Sequence, residues 1–178
     1  MIASTTEVLA HFLRLEASRP QYTARKDEIL SWCQLPDAEL RERAMQFSNE
    51  RPDVNPVFVW TIGTQQDDRF KCVESWRRER IKCRDAYTSG ISHAMRDDLH
   101  NVRGNIKVFA LGEAKNYPEF HTLSPLSQIT SLVIVIAHRK PDKDGIYEVV
   151  DGAHRLVAIC RAGVEEVDAF VARLREKS

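Results

Sequence analysis

The segment from Tyr147 to Gly163 carries the residues of this chain best suited to chemistry. Tyr147-Glu-Val-Val is a short aromatic and β-branched run, Asp151-Gly152 is a turn pair, and helical spacing begins just after it. The pattern predicts a strand passing directly into a helix, with Leu156, Val157, Ile159 and Cys160 on the apolar side and Gly163 as a left-handed C-terminal cap. A glycine at such a junction lets the backbone approach a ligand. The first N–H groups of the helix have no intrahelical acceptor, so the junction suits an anion. His154 and Arg155 add side-chain donors at the same place. A guanidinium offers a planar fork that fits phosphate, and an imidazole near a helix N-terminus stays neutral and serves as donor, acceptor or metal ligand. The plainer reading is that Asp-Gly is among the commonest turn pairs and that Asp151 only caps the helix.

The order of strand, Asp151-Gly152-x-His154-Arg155, helix, Gly163 and a returning strand over Val164 to Val171 resembles the ParB/sulfiredoxin superfamily. Its members keep a Gly-x-His-Arg or Gly-x-Arg-Arg turn for the phosphates of ATP, ADP or CTP. The resemblance covers about residues 105 to 175 and implies an α+β fold with a small mixed sheet of that type. It further implies that Gly152, Ala153, His154 and Arg155 bind the nucleotide and that Glu113, Asp151, His154 and Arg155 are catalytic, with Asp151 positioning a magnesium ion or activating a water. Sulfiredoxins place their reactive cysteine immediately before the His-Arg pair. Ala153 stands there in this chain, so that activity is not expected. The free-serine kinases of the superfamily carry Asp-Gly-x-His-Arg as this chain does, with a carboxylate after the first core strand as base. Glu113, in Ala110-Leu-Gly-Glu-Ala114, is the nearest candidate for that role.

The chemistry so implied is ATP hydrolysis, phosphoryl transfer or metal-dependent DNA cleavage. In size and layout the chain is similar to the fertility-inhibition (oncogenic suppression) proteins of conjugative plasmids, which combine ATPase and DNase activities and block transfer of a rival's DNA. That similarity implies DNA and a protein of a DNA-transfer apparatus as partners, and conjugative plasmid or T-DNA transfer as the target. The competing expectation is a non-enzymatic switch, in which nucleotide sets how the rest of the chain meets a protein or DNA partner.

A second candidate is the basic run Arg69 to Tyr87, expected as a long helix with Phe70, Val73, Trp76, Ile81 and Cys83 on its apolar side. Arg77, Arg78 and Arg80 on its polar side are candidate phosphate contacts to DNA, which would make affinity fall steeply with salt. Glu74, Glu79 and Asp85 interrupt the run, so a solvated helix laced with ion pairs explains it equally. Cys33, Cys72, Cys83 and Cys160 contain no Cys-x-x-Cys pairing and read as reduced core thiols, with Cys72 and Cys83 on one side of that helix. His93 and His100 read as surface or capping groups.

The elements that must position these residues follow from spacing. Thr5 or Thr6 caps a first helix with Val8, Leu9, Phe12, Leu13 and Leu15, a second covers about Ala24 to Cys33, and a third runs from Pro36 to Phe47 with a charged, solvated face. A strand over Pro56–Ile62 and a short helix over Ile91–Leu99 are expected next, and Asn101–Gly104 marks the boundary between a mostly helical N-terminal extension, 1–100, and the binding core, 101–178. Asn105–Ala110 is expected as a strand and Leu111–Ser127 as a loop carrying Glu113, Lys115, Glu119 and His121. Ser131–Ala137 reads as a central strand covered on both faces, Ile146–Val150 as the strand feeding the turn, and Arg173–Ser178 as a charged tail.

At 178 residues, 43% hydrophobic and 29% charged, the chain can bury a core as one domain or one domain with an extension. Lys and Arg number 26 and Asp and Glu 26, so net charge gives no general pull toward nucleic acid or membrane. With neither a basic start before an apolar run nor a bilayer-length apolar stretch, the expectation is a cytoplasmic protein without membrane insertion.

Overall fold

The computed structural model describes residues 1–50, 73–88, 104–112, 135–139 and 145–174. The expected strand over 56–62, the helix over 91–99 and the loop over 113–127 lie outside the described residues, as do Cys72, His93 and His100. The fold is α+β, and the chain divides into two compact units, Ile2–Trp76 and, together with Met1, Arg77–Ser178. The boundary between these two units falls after Trp76. Among the described residues no helix is long and apolar enough to cross a membrane.

The first unit has a two-residue strand β1 (Ile2–Ala3), α1 (Thr5–Ala17), a 3₁₀ segment (Pro20–Arg25), α2 (Lys26–Trp32) and α3 (Asp37–Glu50). The cap of α1 is Ser4, one residue before the expected threonines, and its hydroxyl accepts from the Glu7 N–H at 3.0 Å. Val8, Leu9, Phe12 and Leu13 of α1 are buried with Ile29 of α2 and Leu40, Ala44 and Phe47 of α3, as their helical spacing requires. Tyr22 and Trp32 meet Phe47 edge to face at 5.2 and 5.9 Å. Arg25 lies 5.7 Å from the Trp32 and Phe47 rings while bonding Glu28 and Glu50, and so closes this core with a neutralised cation.

In the second unit β2 (Val73–Lys82, entering from the first), β3 (Ala86–Thr88), β4 (Gly104–Asn105), β5 (Val135–Arg139), β6 (Tyr147–Asp151) and β7 (Glu166–Leu174) lie in a mixed sheet in the order β2-β7-β5-β6-β3-β4. β5 runs parallel to β7 and antiparallel to β6, and β3 runs parallel to β6 and antiparallel to β4. The expected apolar strand thus stands between two neighbours, described over Val135–Arg139. The last strand reaches Leu174, so the first residues of the expected charged tail belong to it. Helices α4 (Ile106–Leu111) and α5 (Ala153–Arg161) pack on each other. Ile106, Phe109 and Ala110 from α4 and Leu156, Val157, Ile159 and Cys160 from α5 share a buried core with Ile81, Tyr147, Val149, Val167, Ala169 and Val171 of the sheet. Each large side chain buried there contributes roughly 1.5–3 kcal/mol.

Two expected elements are corrected. Residues 73–88 form β2, a 3₁₀ turn (Cys83–Asp85) and β3, not a long helix. The charged residues Glu, Arg and Lys have good helix propensity, but pairing with β7 overrides it. Arg78 pairs with Asp168 at 2.9 Å and Arg80 with Glu166 at 3.5 Å, a ladder that steps in opposite directions along the two strands. The second correction is Ile106–Leu111, which is helix and not strand. Asn105 caps it by accepting from the Val108 N–H at 3.1 Å, and Ile106, Phe109 and Ala110 fall on one buried face at i, i+3 and i+4.

Candidate functional site

The junction of β6 and α5 brings Asp151, Gly152, Ala153, His154 and Arg155 into one turn, as the sequence predicts. Tyr147, Val149 and Asp151 are buried at alternate positions of β6, which seats the strand in the core up to the turn. A bulge between Ile136 and Ala137 in the register of β5 against β6 lies directly before the turn, where an irregular ladder re-aims the strand end. Gly152 then adopts φ 89°, ψ 12°, a left-handed conformation that glycine enters without a side-chain penalty. Its carbonyl accepts the Leu156 N–H at 2.9 Å, the first bond of α5.

Gly152 has no side chain with which to cap the helix, so its geometry leaves the early N–H groups of α5 to another acceptor. Arg155 in the first turn donates from Nη2 to Asp151 Oδ2 at 2.6 Å, a pair whose side chains are 20% and 6% exposed. The carboxylate is favoured by the positive end of the α5 dipole, and the guanidinium is disfavoured by it. Asp151 therefore compensates two positive features at once. At the other end Gly163, φ 79°, closes α5 with its N–H to the Cys160 carbonyl at 3.1 Å, and Val164 N–H reaches the Ile159 carbonyl at 3.2 Å. That double bond pattern is a Schellman closure, and it fixes the length and direction of the helix.

Other predicted residues are distributed as follows. The backbone of His154 is in α5, but its side chain lies outside the described residues, as does all of Glu113. Arg77, Arg78 and Arg80 project from a strand and not from a helix face, and Arg78 and Arg80 are engaged by Asp168 and Glu166. Ion pairs of that kind withdraw positive charge from a DNA-binding surface. Among the described residues no group of three His, Cys, Asp or Glu is placed to hold a metal. Asp151 on its own does not make a magnesium site.

Sequence reasoning missed the Asp151–Arg155 pair, although their i, i+4 spacing across a helix start signals it. It also missed Asn105, whose side chain both caps α4 and donates to the Arg84 carbonyl at 2.5 Å, tying α4 to the turn before β3. The fold and site together define an α+β protein with a glycine-opened strand-to-helix turn and a half-buried ion pair across it. Comparison of the chain with protein-family models, with curated proteins and with solved structures found no match.

Proposed function

We propose that the Asp151–Arg155 turn is a phosphate site of the ParB/sulfiredoxin type, which binds the phosphates of a nucleotide such as ATP and cleaves a phosphate bond. The observation that supports this reading most is the left-handed Gly152 at the N-terminus of α5, beside a guanidinium. In this reading the N–H groups of Ala153, His154 and Arg155 hold the phosphates, and the Arg155 guanidinium stabilises the negative charge that develops. Asp151 holds the guanidinium in place and, with Glu113, orients the attacking water. Magnesium, when bound, neutralises phosphate charge. The reaction class is ATP hydrolysis or DNA cleavage, and the biological role is restriction of conjugative plasmid or T-DNA transfer.

The test is turnover of ATP, CTP and supercoiled plasmid by the full chain with magnesium or manganese, in the wild type and in the His154→Ala/Arg155→Ala variant. Turnover in the wild type and its loss in a folded variant is the expected outcome. Absence of turnover for every substrate refutes the enzyme reading.

A second reading is a nucleotide-dependent switch, favoured by the closed Asp151–Arg155 pair. An incoming phosphate competes with the Asp151 carboxylate for the same guanidinium, so binding would rearrange the turn without chemistry. Nucleotide-dependent binding to a protein or DNA partner with no turnover selects this reading.

A further inference from the structure

The turn between β6 and α5 is also an Asp-Gly sequence, Asp151-Gly152. An aspartate before glycine is the pair most open to self-isomerisation, because no side chain on the second residue hinders its amide nitrogen from attacking the aspartyl Cγ. Two restraints oppose that attack here. The first is in the backbone. Asp151 closes β6 opposite Ile136, so its main chain is extended, and the Gly152 carbonyl beyond it is tied to the Leu156 N–H at 2.9 Å. Closing a five-membered ring on the Gly152 nitrogen requires Asp151 to rotate out of the extended region. The second restraint is in the side chain. Arg155 Nη2 holds Asp151 Oδ2 at 2.6 Å, and the aspartate side chain is only 6% exposed. Ring closure expels one carboxylate oxygen and the negative charge with it, so the ion pair cannot survive the reaction.

We propose that Asp151-Gly152 is a latent isomerisation site, kept in the aspartyl form by the Arg155 guanidinium, so that opening of the Asp151–Arg155 pair starts its conversion to isoaspartate. Local openings of a turn take microseconds to seconds, whereas ring closure takes days. The chemistry therefore samples the open population at equilibrium, and whatever removes the guanidinium from the carboxylate raises the rate in proportion. The ion pair is the restraint that a substitution or a competing anion can remove while β6 and α5 stay formed.

In the first step the Gly152 nitrogen forms a bond to Asp151 Cγ and one Cγ–O bond breaks. The oxygen leaves as hydroxide with the amide proton and takes a second proton from solvent, giving water and a cyclic imide. In the second step water adds to the former main-chain carbonyl of Asp151 and the bond from that carbon to the Gly152 nitrogen breaks. A carboxylate is left there, one proton returns to solvent, and the chain now runs through Cβ and Cγ. One water is lost and one gained, so mass is unchanged, and no oxidant or reductant takes part. The product has one extra carbon in the main chain between β6 and α5, and its carboxylate no longer ends the side chain that reached Arg155. Both the ion pair and the Gly152–Leu156 bond depend on the original spacing, so the junction cannot re-form. That loss is the same whether or not the turn binds phosphate.

The experiment incubates the folded full chain in neutral buffer for several weeks, beside the same chain held unfolded in guanidinium chloride, and digests samples at intervals. Isoaspartate is read as a second chromatographic peak of equal mass, and electron-transfer fragmentation locates it, because Asp144-Gly145 shares the tryptic peptide Asp144–Arg155. The folded wild type is expected to convert Asp151 far more slowly than the unfolded chain. Folded Arg155→Met is expected to convert it at least about fivefold faster than wild type, the factor that about 1 kcal/mol of lost pairing produces. Asn105→Ala, which removes the cap of α4 and leaves the pair intact, is the control for general destabilisation and is expected to match wild type. The proposal is overturned if folded Arg155→Met converts Asp151 no faster than wild type, if Asn105→Ala accelerates it equally, or if the folded wild type converts at the unfolded rate. Should Arg155→Met not fold, Arg155→Lys, which keeps the charge without the planar fork, takes its place, and its rate is expected between those of the folded wild type and the unfolded chain. A rate for Arg155→Lys equal to that of the folded wild type overturns the proposal.

Discussion

The Asp151–Arg155 pair makes a quantitative demand on the turn. Breaking a fully buried ion pair costs about 3–5 kcal/mol because the remaining charge has no partner. Two features of this site reduce that figure unequally. Arg155 is 20% exposed, so water recovers part of its solvation once Asp151 is gone, but the helix end that faces it is positive. Asp151 is 6% exposed, yet the same helix end supports its charge when Arg155 is gone, by roughly 0.3–1 kcal/mol and up to ~2 in a partly buried setting. Asp151→Asn is therefore expected to cost about 2–4 kcal/mol and Arg155→Met about 1–3, with the double variant less destabilised than the sum by about 1–3 kcal/mol. Urea unfolding of the four proteins at pH 7 measures all three quantities. Additivity within about 0.5 kcal/mol would mean the pair contributes nothing as a pair. A cost for Arg155→Met above that for Asp151→Asn would refute the dipole argument even if the coupling held. Nucleotide titration of the same variants separates the roles. Arg155→Met should weaken ATP binding about 10- to 100-fold, the loss of a charged hydrogen bond of ~1.5–3 kcal/mol. Asp151→Asn, which removes a competing anion, should leave binding intact or tighter while ending turnover.

Gly152→Ala should destabilise by about 1–2 kcal/mol because an L side chain is strained in the left-handed region, and Gly163→Ala gives the matching control, since its added Cβ meets nothing within 4 Å. Both are read from the urea midpoint, and only Gly152→Ala should also weaken ATP binding. Asn105→Ala removes the cap of α4 and its bond to the Arg84 carbonyl, so a loss of about 1–2 kcal/mol is expected, with the same assay. The Asp37 carboxyl is held below the usual carboxylate range by the Thr6 hydroxyl first and Arg41 second. A folded value below the unfolded one means its contribution is present above about pH 4 and fades as pH falls through the folded value, so wild type and Asp37→Asn should converge in stability as the pH falls through that range.

The parts of this protein legible in its sequence are those set by neighbours along the chain. The helices of the first unit follow from Val8, Leu9, Phe12 and Leu13 and their counterparts in α2 and α3, whose spacing alone defines a buried stripe. The β6–Gly152–α5 junction and its Gly163 closure are legible for the same reason, because a turn position with positive φ favours glycine through local sterics. Asp151 and Arg155 were singled out separately, by residue type. Their pairing is a local contact too, one helical turn apart, and the i, i+4 rule was available to find it.

The misread elements are those decided at long range. In β2, Trp76 and Ile81 are buried among residues that otherwise carry charge to solvent, and nothing within Val73–Lys82 excludes a helix with the same composition. The choice is made by β7, whose Glu166 and Asp168 stand opposite Arg80 and Arg78 while Val167 and Ala169 fill the core on alternate positions. The same pairing accounts for Arg78 and Arg80 as ion-pair partners in a sheet. If so, replacing Glu166 and Asp168 by glutamine and asparagine should raise affinity for duplex DNA and steepen its salt dependence, since freed guanidinium groups each become able to displace a counterion from phosphate. Titration of fluorescent duplex DNA across salt concentrations measures that slope. An unchanged slope in the doubly neutralised protein would show that the strand face does not meet phosphate even when its cations are released, and would remove Arg78 and Arg80 from any DNA-binding role.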